Sequence, residues 1–399
     1  MPAPASMFSD PAYKANPYPF YAQARAAGPV QKTKLPNGVQ VYLVTRYADV
    51  QAGLKDARLV KNILNARDHG FLARMGLGVL GNNSNMLKAD PPEHTRLRAL
   101  AHAAFTPKYV AGLRGHIQEI ADHLLDGVQG RGQMDLIQDF AFPLPITVIC
   151  EMLGVPTKDE AQFRKWSSAL ITSGLISAER PRPTKALLQL VQYVRALVAQ
   201  RRRKPQDDLI SKLIHVDEGG DRFTPRELVG TVMVLLIAGH ETTVNLIGSG
   251  TLTLLQDPAQ LEILKNDPAL IKPAVEELLR YVNPVQLVNR YAAEDLEIGG
   301  VAIPRGSHLA MVVAAGNHDP AFVAEPEQLD MHHSDTRHLA FGQGIHYCLG
   351  APLARLEGEI AFTTLLRRLP NLRLAAETDA LVWRAATELR GLSALPVTF

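Results

Sequence analysis

The sequence predicts a mainly α fold with a small β subdomain, built around one long central helix. Three observations predict it. Helical apolar spacing recurs in segment after segment between Asp90 and Leu255. One apolar stretch of roughly thirty residues, bounded by helix signals at both ends, is long enough at about 1.5 Å per residue to cross a whole domain. Strand signals gather instead around a Gly-Gly turn near position 300.

Taken in order, the opening segment holds an amphipathic stretch at Tyr21 to Ala27 and a strand at Val39 to Val44, entered from the Asn37-Gly38 turn. Helical spacing follows at Arg96 to Ala104, Leu113 to Val128, Ile146 to Leu153, Phe163 to Leu175 and Ala186 to Arg203, with few strand signals between them. The central element begins at Thr224-Pro225-Arg226-Glu227, a capping box with proline at the first helical position, and should stop at Asp257-Pro258. A helix at Ile271 to Tyr281 comes next, then short strands through Val313 around the Gly299-Gly300 turn. The last helix is Ala351 to Leu369, and the tail Arg390 to Phe399 reads as extended. No repeat or linker divides the 399 residues, so a single domain over 1–399 is expected.

Composition narrows the function. The chain is 46% hydrophobic, which is enough to bury a large core, and Lys plus Arg exceed Asp plus Glu by only 42 to 40, so total charge points to no nucleic acid or anionic membrane. The N-terminus lacks the apolar run of a signal peptide or membrane anchor, which predicts a cytoplasmic protein, expected as a monomer. Two cysteines, Cys150 and Cys348, far apart, do not form a disulfide framework.

Cys348 stands in Phe341-Gly342-Gln343-Gly344-Ile345-His346-Tyr347-Cys348-Leu349-Gly350, directly before a helix. Glycines allow a tight bend that turns amide N–H groups toward the sulfur, and the helix start adds positive partial charge, so a thiolate is expected. A lone cysteine before a helix is more often a small core residue, and His346-X-Cys348 could contribute to a zinc site, but neither reading explains the whole string.

That string, FGQGIHYCLGAPLAR, resembles the signature of the cytochrome P450 family. The resemblance extends to NPYPFYAQARAAGPV, ADPPEHTRLRALAHAAFTP, AGHETT and RGLSALPVTF, and so covers nearly the whole chain, most like the soluble bacterial members. It implies the cytochrome P450 fold, with the long helix crossing a haem b and Cys348 as its axial ligand. It also implies a monooxygenase that inserts one oxygen atom from O2 into a hydrophobic small or medium-sized molecule, by hydroxylation or epoxidation. A thiolate ligand favours O–O cleavage.

Within Ala238-Gly239-His240-Glu241-Thr242-Thr243, a buried carboxylate must be paired, solvated or functional, because an unpaired one costs several kcal/mol. Ala238 and Gly239 leave room beside the helix, and a Thr hydroxyl bonded back to a carbonyl can open the ladder locally. The resemblance makes this the oxygen-binding groove, with Thr242 holding oxygen and water and Glu241 relaying protons. His94, Arg98, Arg290 and His346 match the bases that receive the haem propionates, and Phe341 opens the cysteine loop. Glu277 and Arg280 resemble the buried pair that braces this loop. The family closes that pair with an arginine, but His333 stands at the matching position, with Arg337 as an alternative.

The resemblance builds the substrate pocket from the Ile63 to Leu87 loop, the Ser168 to Pro183 region, Val234, Ala238 and Pro284 to Val288, with Gln286 as a polar contact. Gly70, Gly76, Gly78 and Gly81 suggest a lid. No flavin or iron–sulfur motif is visible, so electrons are expected from a separate ferredoxin or flavodoxin, docked near arginines such as Arg96 and Arg355. Two other readings compete. A peroxide-driven haem-thiolate oxidase would not need Glu241 and Thr242, and a haem-based sensor would need an output domain.

Overall fold

The computed structural model describes residues 10–34, 38–66, 85–159, 161–163, 165–166, 169, 185–333, 337–384 and 386–399. The helices that position the site are Glu93–Ala104 (α1), Arg114–Gln129 (α2), Pro143–Met152 (α3), Lys185–Arg203 (α4), Pro225–Gln256 (α5), Ile271–Val282 (α6) and Ala351–Arg368 (α7). The strands are Val30–Lys34 (β1), Gln40–Val44 (β2), Leu59–Val60 (β3), Gln133–Asp135 (β4), Val288–Ala292 (β5), Leu296–Ile298 (β6), Val301–Ile303 (β7), His308–Met311 (β8), Arg373–Leu374 (β9) and Pro396–Thr398 (β10).

Helix α5 starts as its sequence dictates. The Glu227 carboxylate accepts from the Thr224 amide at 2.9 Å, and Thr224 Oγ1 accepts from the Glu227 amide at 3.3 Å, so two amides left over at the helix start are satisfied. It then packs against α3, α4, α6 and α7, which makes it the axis of the molecule. Close approach depends on small residues: a side chain at Gly250 would stand 2.7 Å from Phe362 Cζ of α7. Among the described residues this helix alone is long and apolar enough to cross a membrane, and most of that apolar surface is buried inside the protein.

A five-stranded sheet runs β1-β2-β8-β5-β3, with β2 and β8 parallel and the other pairs antiparallel. It sets Arg290 opposite Leu309 in the middle of β5 and places Lys61 directly after β3. Gly299 and Gly300, at φ +56° and +81°, form the tight turn between β6 and β7.

Four differences from the expected elements have local causes. The α1 and α3 helices begin three residues earlier than predicted, α3 because Pro143 and Pro145 fit its first turn. Strand β4 interrupts the supposedly all-helical stretch because the distant tail supplies its partner: Val397 pairs with Met134. A five-residue π-helical turn, Ile137–Ala141, joins β4 to α3. The helices Pro107–Gly112, Leu209–His215 and Pro258–Asn266 are additional, each started by a side-chain cap from Thr106, Asp208 or Asp257. Most of the helix expected at Phe163 to Leu175 lies outside the described residues.

Candidate active site

The cysteine loop is held by its own backbone. The Cys348 amide donates to Phe341 O at 2.9 Å and the Tyr347 amide to Gly344 O at 3.1 Å. Gly342 and Gly344 both sit at φ +69°, where L side chains are strained, and a side chain on Gly344 would also stand 2.7 Å from Leu54 O. Gly350 differs, with an ordinary φ of −82°. Its amide and that of Ala351 bond to the Cys348 sulfur and favour the thiolate, helped by the charges of Arg98 and Arg355. Burial still pushes the thiol up overall, so the thiolate expected from the amides alone is not reached by them. It needs the charge of a bound metal, which deprotonates a coordinating thiol.

Around this sulfur the structure gathers the four predicted bases. His94 on α1 meets His346 with ring centroids 4.2 Å apart, and the charge of Cys348 acts on Arg98. Burial lowers both histidines, His346 to about 2 with Arg290, Lys61, His94 and Arg98 adding repulsion, so both are neutral N–H donors. The positive charge comes from the arginines. Arg290 is 2% exposed, and among the described residues it has no carboxylate partner and donates only to Asn289 O, at 3.0 Å. Both ring nitrogens of His94 are buried without a hydrogen-bond partner among the described residues.

The third wall is one face of α5. Val234, Ala238 and Thr242, spaced four apart, stay partly or fully exposed in a helix otherwise buried on most sides. Thr242 Oγ1 donates to Ala238 O at 3.2 Å, as its type allows, but the helix continues without a break where a local opening was expected. Gly239 corrects its expected role. A side chain there would stand 3.2 Å from Ile149, so the glycine admits α3 and the room beside it is taken up by that helix.

Glu241, 2% exposed, points away from that face toward Arg384, a partner the sequence analysis missed. Arg384 Nη1 donates to Glu241 Oε1, Nη2 to Asn245 Oδ1 at 2.8 Å and Nε to Leu392 O at 3.0 Å. Gly391 makes this possible, since a side chain there would overlap the Asn245 amide. Glu241 Oε2 has no hydrogen-bond partner among the described residues. Burial outweighs the pull of Arg384 and Asn245 and raises the carboxyl to about 7. No short motif marks Arg384, which is one of several charged residues between Arg373 and Arg390.

Behind the loop, Arg280 Nη2 and Nε donate to Glu277 Oε1 and Oε2 at 2.6 and 2.7 Å, with both side chains 1% exposed. Arg280 also donates to the carbonyls of Asn317, Pro326 and Gln328. His333, and not Arg337, closes the brace, its Nδ1 lying 2.7 Å from Glu277 Oε2.

Further expectations are corrected. Gln286 is 1% exposed, receives the Tyr21 hydroxyl and donates to Asn283 O, so it has no end free for a pocket. Arg355 is taken up by Glu276, at 2.6 and 2.9 Å, and lies 4.5 Å over the Phe341 ring, while Arg96 is paired with Glu227. Neither is a free docking charge. Val288 is half-buried in β5, next to Asn289. Gly70, Gly76, Gly78, Gly81 and most of the Ser168 to Pro183 region lie outside the described residues.

These donors fit the haem that the resemblance implies. A buried guanidinium with no ion-pair partner among the described residues, a second arginine and two neutral imidazoles suit two carboxylates, and an amide-flanked sulfur suits a metal. Comparison with known proteins agrees. A family model for Cytochrome P450 matches residues 39–373. The polyketide biosynthesis cytochrome P450 PksS of Bacillus subtilis (strain 168) is 42% identical, with 96% of each chain covered, and its solved structure superposes with a TM-score of 0.91 over 100% of this chain and 99% of that one. Vitamin D(3) 25-hydroxylase of Pseudonocardia autotrophica is 45% identical, covering 96% of this chain and 94% of its own. The myxobacterial cytochrome P450 CYP267B1, solved in complex with myristic acid, is 42% identical at a TM-score of 0.88, with 98% of each chain covered.

Proposed function

Because this chain belongs to the cytochrome P450 family and is a haem-thiolate monooxygenase, we propose that its cofactor is haem b, that Cys348 is the axial ligand, and that electrons come from a separate ferredoxin or flavodoxin in the cytoplasm. The observation that carries the assignment is Arg290, a buried cation with no ion-pair partner among the described residues, near Arg98, His94, His346 and Cys348. Arg98 and Arg290 supply charge to the two propionates, and His94 and His346 supply neutral N–H groups. When bound, the haem supplies the iron at which dioxygen is activated.

The protein's part is positioning and proton supply. Val234 and Ala238 present an apolar face that excludes water, and Val288 extends it. The Thr242 hydroxyl, which donates to Ala238 O, accepts a hydrogen bond from a water at its free lone pairs. Glu241 holds its proton on Oε2, because Oε1 is fixed by Arg384, and a carboxyl near 7 can both release and recover that proton at neutral pH. The substrate is a hydrophobic small or medium-sized molecule, and the myristic acid held by CYP267B1 makes an aliphatic chain the natural first candidate. Reduced, haem-loaded protein exposed to carbon monoxide should show the red-displaced Soret absorption of a sulfur-anion ligand. An unshifted band would end the assignment.

A further inference from the structure

The pair formed by Glu276 and Arg355 is built in one direction. Glu276 lies on α6 beside the brace residue Glu277, and Arg355 lies early in α7, the helix that follows Cys348. The carboxylate closes one edge of the guanidinium: Nε donates to Glu276 Oε1 at 2.6 Å and Nη2 to Oε2 at 2.9 Å. The other side of the guanidinium meets the cysteine loop. Its Nη1 donates to the Tyr347 hydroxyl at 3.2 Å, and its carbon stands 4.5 Å from the centre of the Phe341 ring.

Those two aromatic residues frame the sulfur. Phe341 O receives the Cys348 amide at 2.9 Å, and Tyr347 precedes Cys348 in the chain, so Arg355 grips the loop at its first residue and again beside the cysteine. The pair sums to no net charge, but its positive end is turned toward the loop and its negative end toward α6. His338 leaves that balance unaltered. Its Nδ1 accepts from the Ala340 amide at 3.2 Å, so Nε2 carries the proton that Glu276 Oε2 receives at 3.1 Å, and the ring adds a hydrogen bond but no charge. Both members of the pair are half-buried, so water screens their field only in part, and the charge of Arg355 reaches the Cys348 sulfur.

We propose that the pair sets the reduction potential of the haem, with Arg355 as a positioning residue that raises it and Glu276 as the counter-charge that limits the rise. This rests on the function proposed above and names what controls its first electron transfer. In that step one electron from the separate donor reduces iron(III) to iron(II), no bond is made or broken, and the haem with its sulfur gains one negative charge. A positive end turned toward the sulfur favours the more negative product, and a carboxylate behind it opposes that product. Residues that merely kept the loop in shape would not shift the potential according to the sign of the charge removed.

The test is a redox titration of haem-loaded, substrate-free protein against a dye of known potential. Arg355→Gln should lower the one-electron equilibrium constant for reduction about tenfold, which is about 59 mV. Glu276→Gln leaves Arg355 uncompensated and should raise the constant. Arg355→Lys keeps the charge without the planar fork and should lie nearer the unaltered protein than Arg355→Gln does. Shifts of the same sign in Arg355→Gln and Glu276→Gln overturn the proposal, as do constants within about twofold of the unaltered protein in both variants. Should Arg355→Gln not retain haem, Glu276→Gln decides: an upward shift upholds the proposal, and a downward or absent shift overturns it. The carbon monoxide spectrum of the unaltered protein separates failure of this proposal from failure of the functional assignment.

Discussion

Two buried carboxylates in this molecule each face an arginine, and they are built to opposite ends. Glu277 is saturated: Arg280 grips both oxygens, His333 and the Asp330 amide add to them, and the guanidinium reaches three carbonyls as well. Glu241 is left incomplete, with one oxygen held by Arg384 and the other without a hydrogen-bond partner among the described residues. A saturated pair fixes geometry, whereas a group with one free oxygen and a raised pKa is available to move a proton. Saturation, and not burial, separates support from chemistry here.

The contrast can be broken from either side. The largest effect is expected from Glu277→Ala, which strands the Arg280 charge in the interior and should cost about 3–5 kcal/mol, read as a lower urea midpoint and faster haem loss. Glu241→Gln should leave the fold nearly intact but slow substrate oxidation by about 10²-fold, the lower range for loss of a general acid; an unchanged rate would remove Glu241 from proton supply. Thr242→Ala should keep haem and ligand binding while reducing equivalents are lost to hydrogen peroxide, measured as the ratio of product to NAD(P)H consumed.

Arg384→Gln sharpens the comparison through pH. The protonated form of Glu241 prevails below about 7, so activity that depends on it should fall as pH rises through that value. Arg384 lowers this pKa, and its removal should move the alkaline limb upward. The same sign governs stability. The folded pKa lies above the ordinary 4.5, so this group's contribution is complete below 4.5 and is lost as pH rises through about 7, a slope that Glu241→Gln should flatten. The smallest effect is expected from His333→Ala, about 1 kcal/mol for one hydrogen bond on a partly exposed ring, in the same urea assay.

What could be read in advance follows the same division. Thr224 with Glu227, the Gly299-Gly300 turn and the cysteine loop are local, so the physics that forms them is written within a few residues. The Glu277–Arg280 pair was legible because a three-residue spacing faces two side chains together on any helix. Strand β4 was not, since its partner β10 lies about 260 residues away. Gln286 was misread for a related reason: the aromatic cluster around Tyr21 that captures its amide comes from the other end of the chain. Gly239 was read as open space when its neighbour Ile149 fills that space.

The separation of Glu241 from Arg384 also has a consequence in time. At about 5–20 residues per second, the 143 positions between them take roughly 7 to 29 s to synthesise. Through that interval the nascent central helix carries an acid whose counter-charge does not yet exist. Any burial of Glu241 before Arg384 is made favours its uncharged form, and the ionic contact can form only once the tail that carries Arg384 has been synthesised.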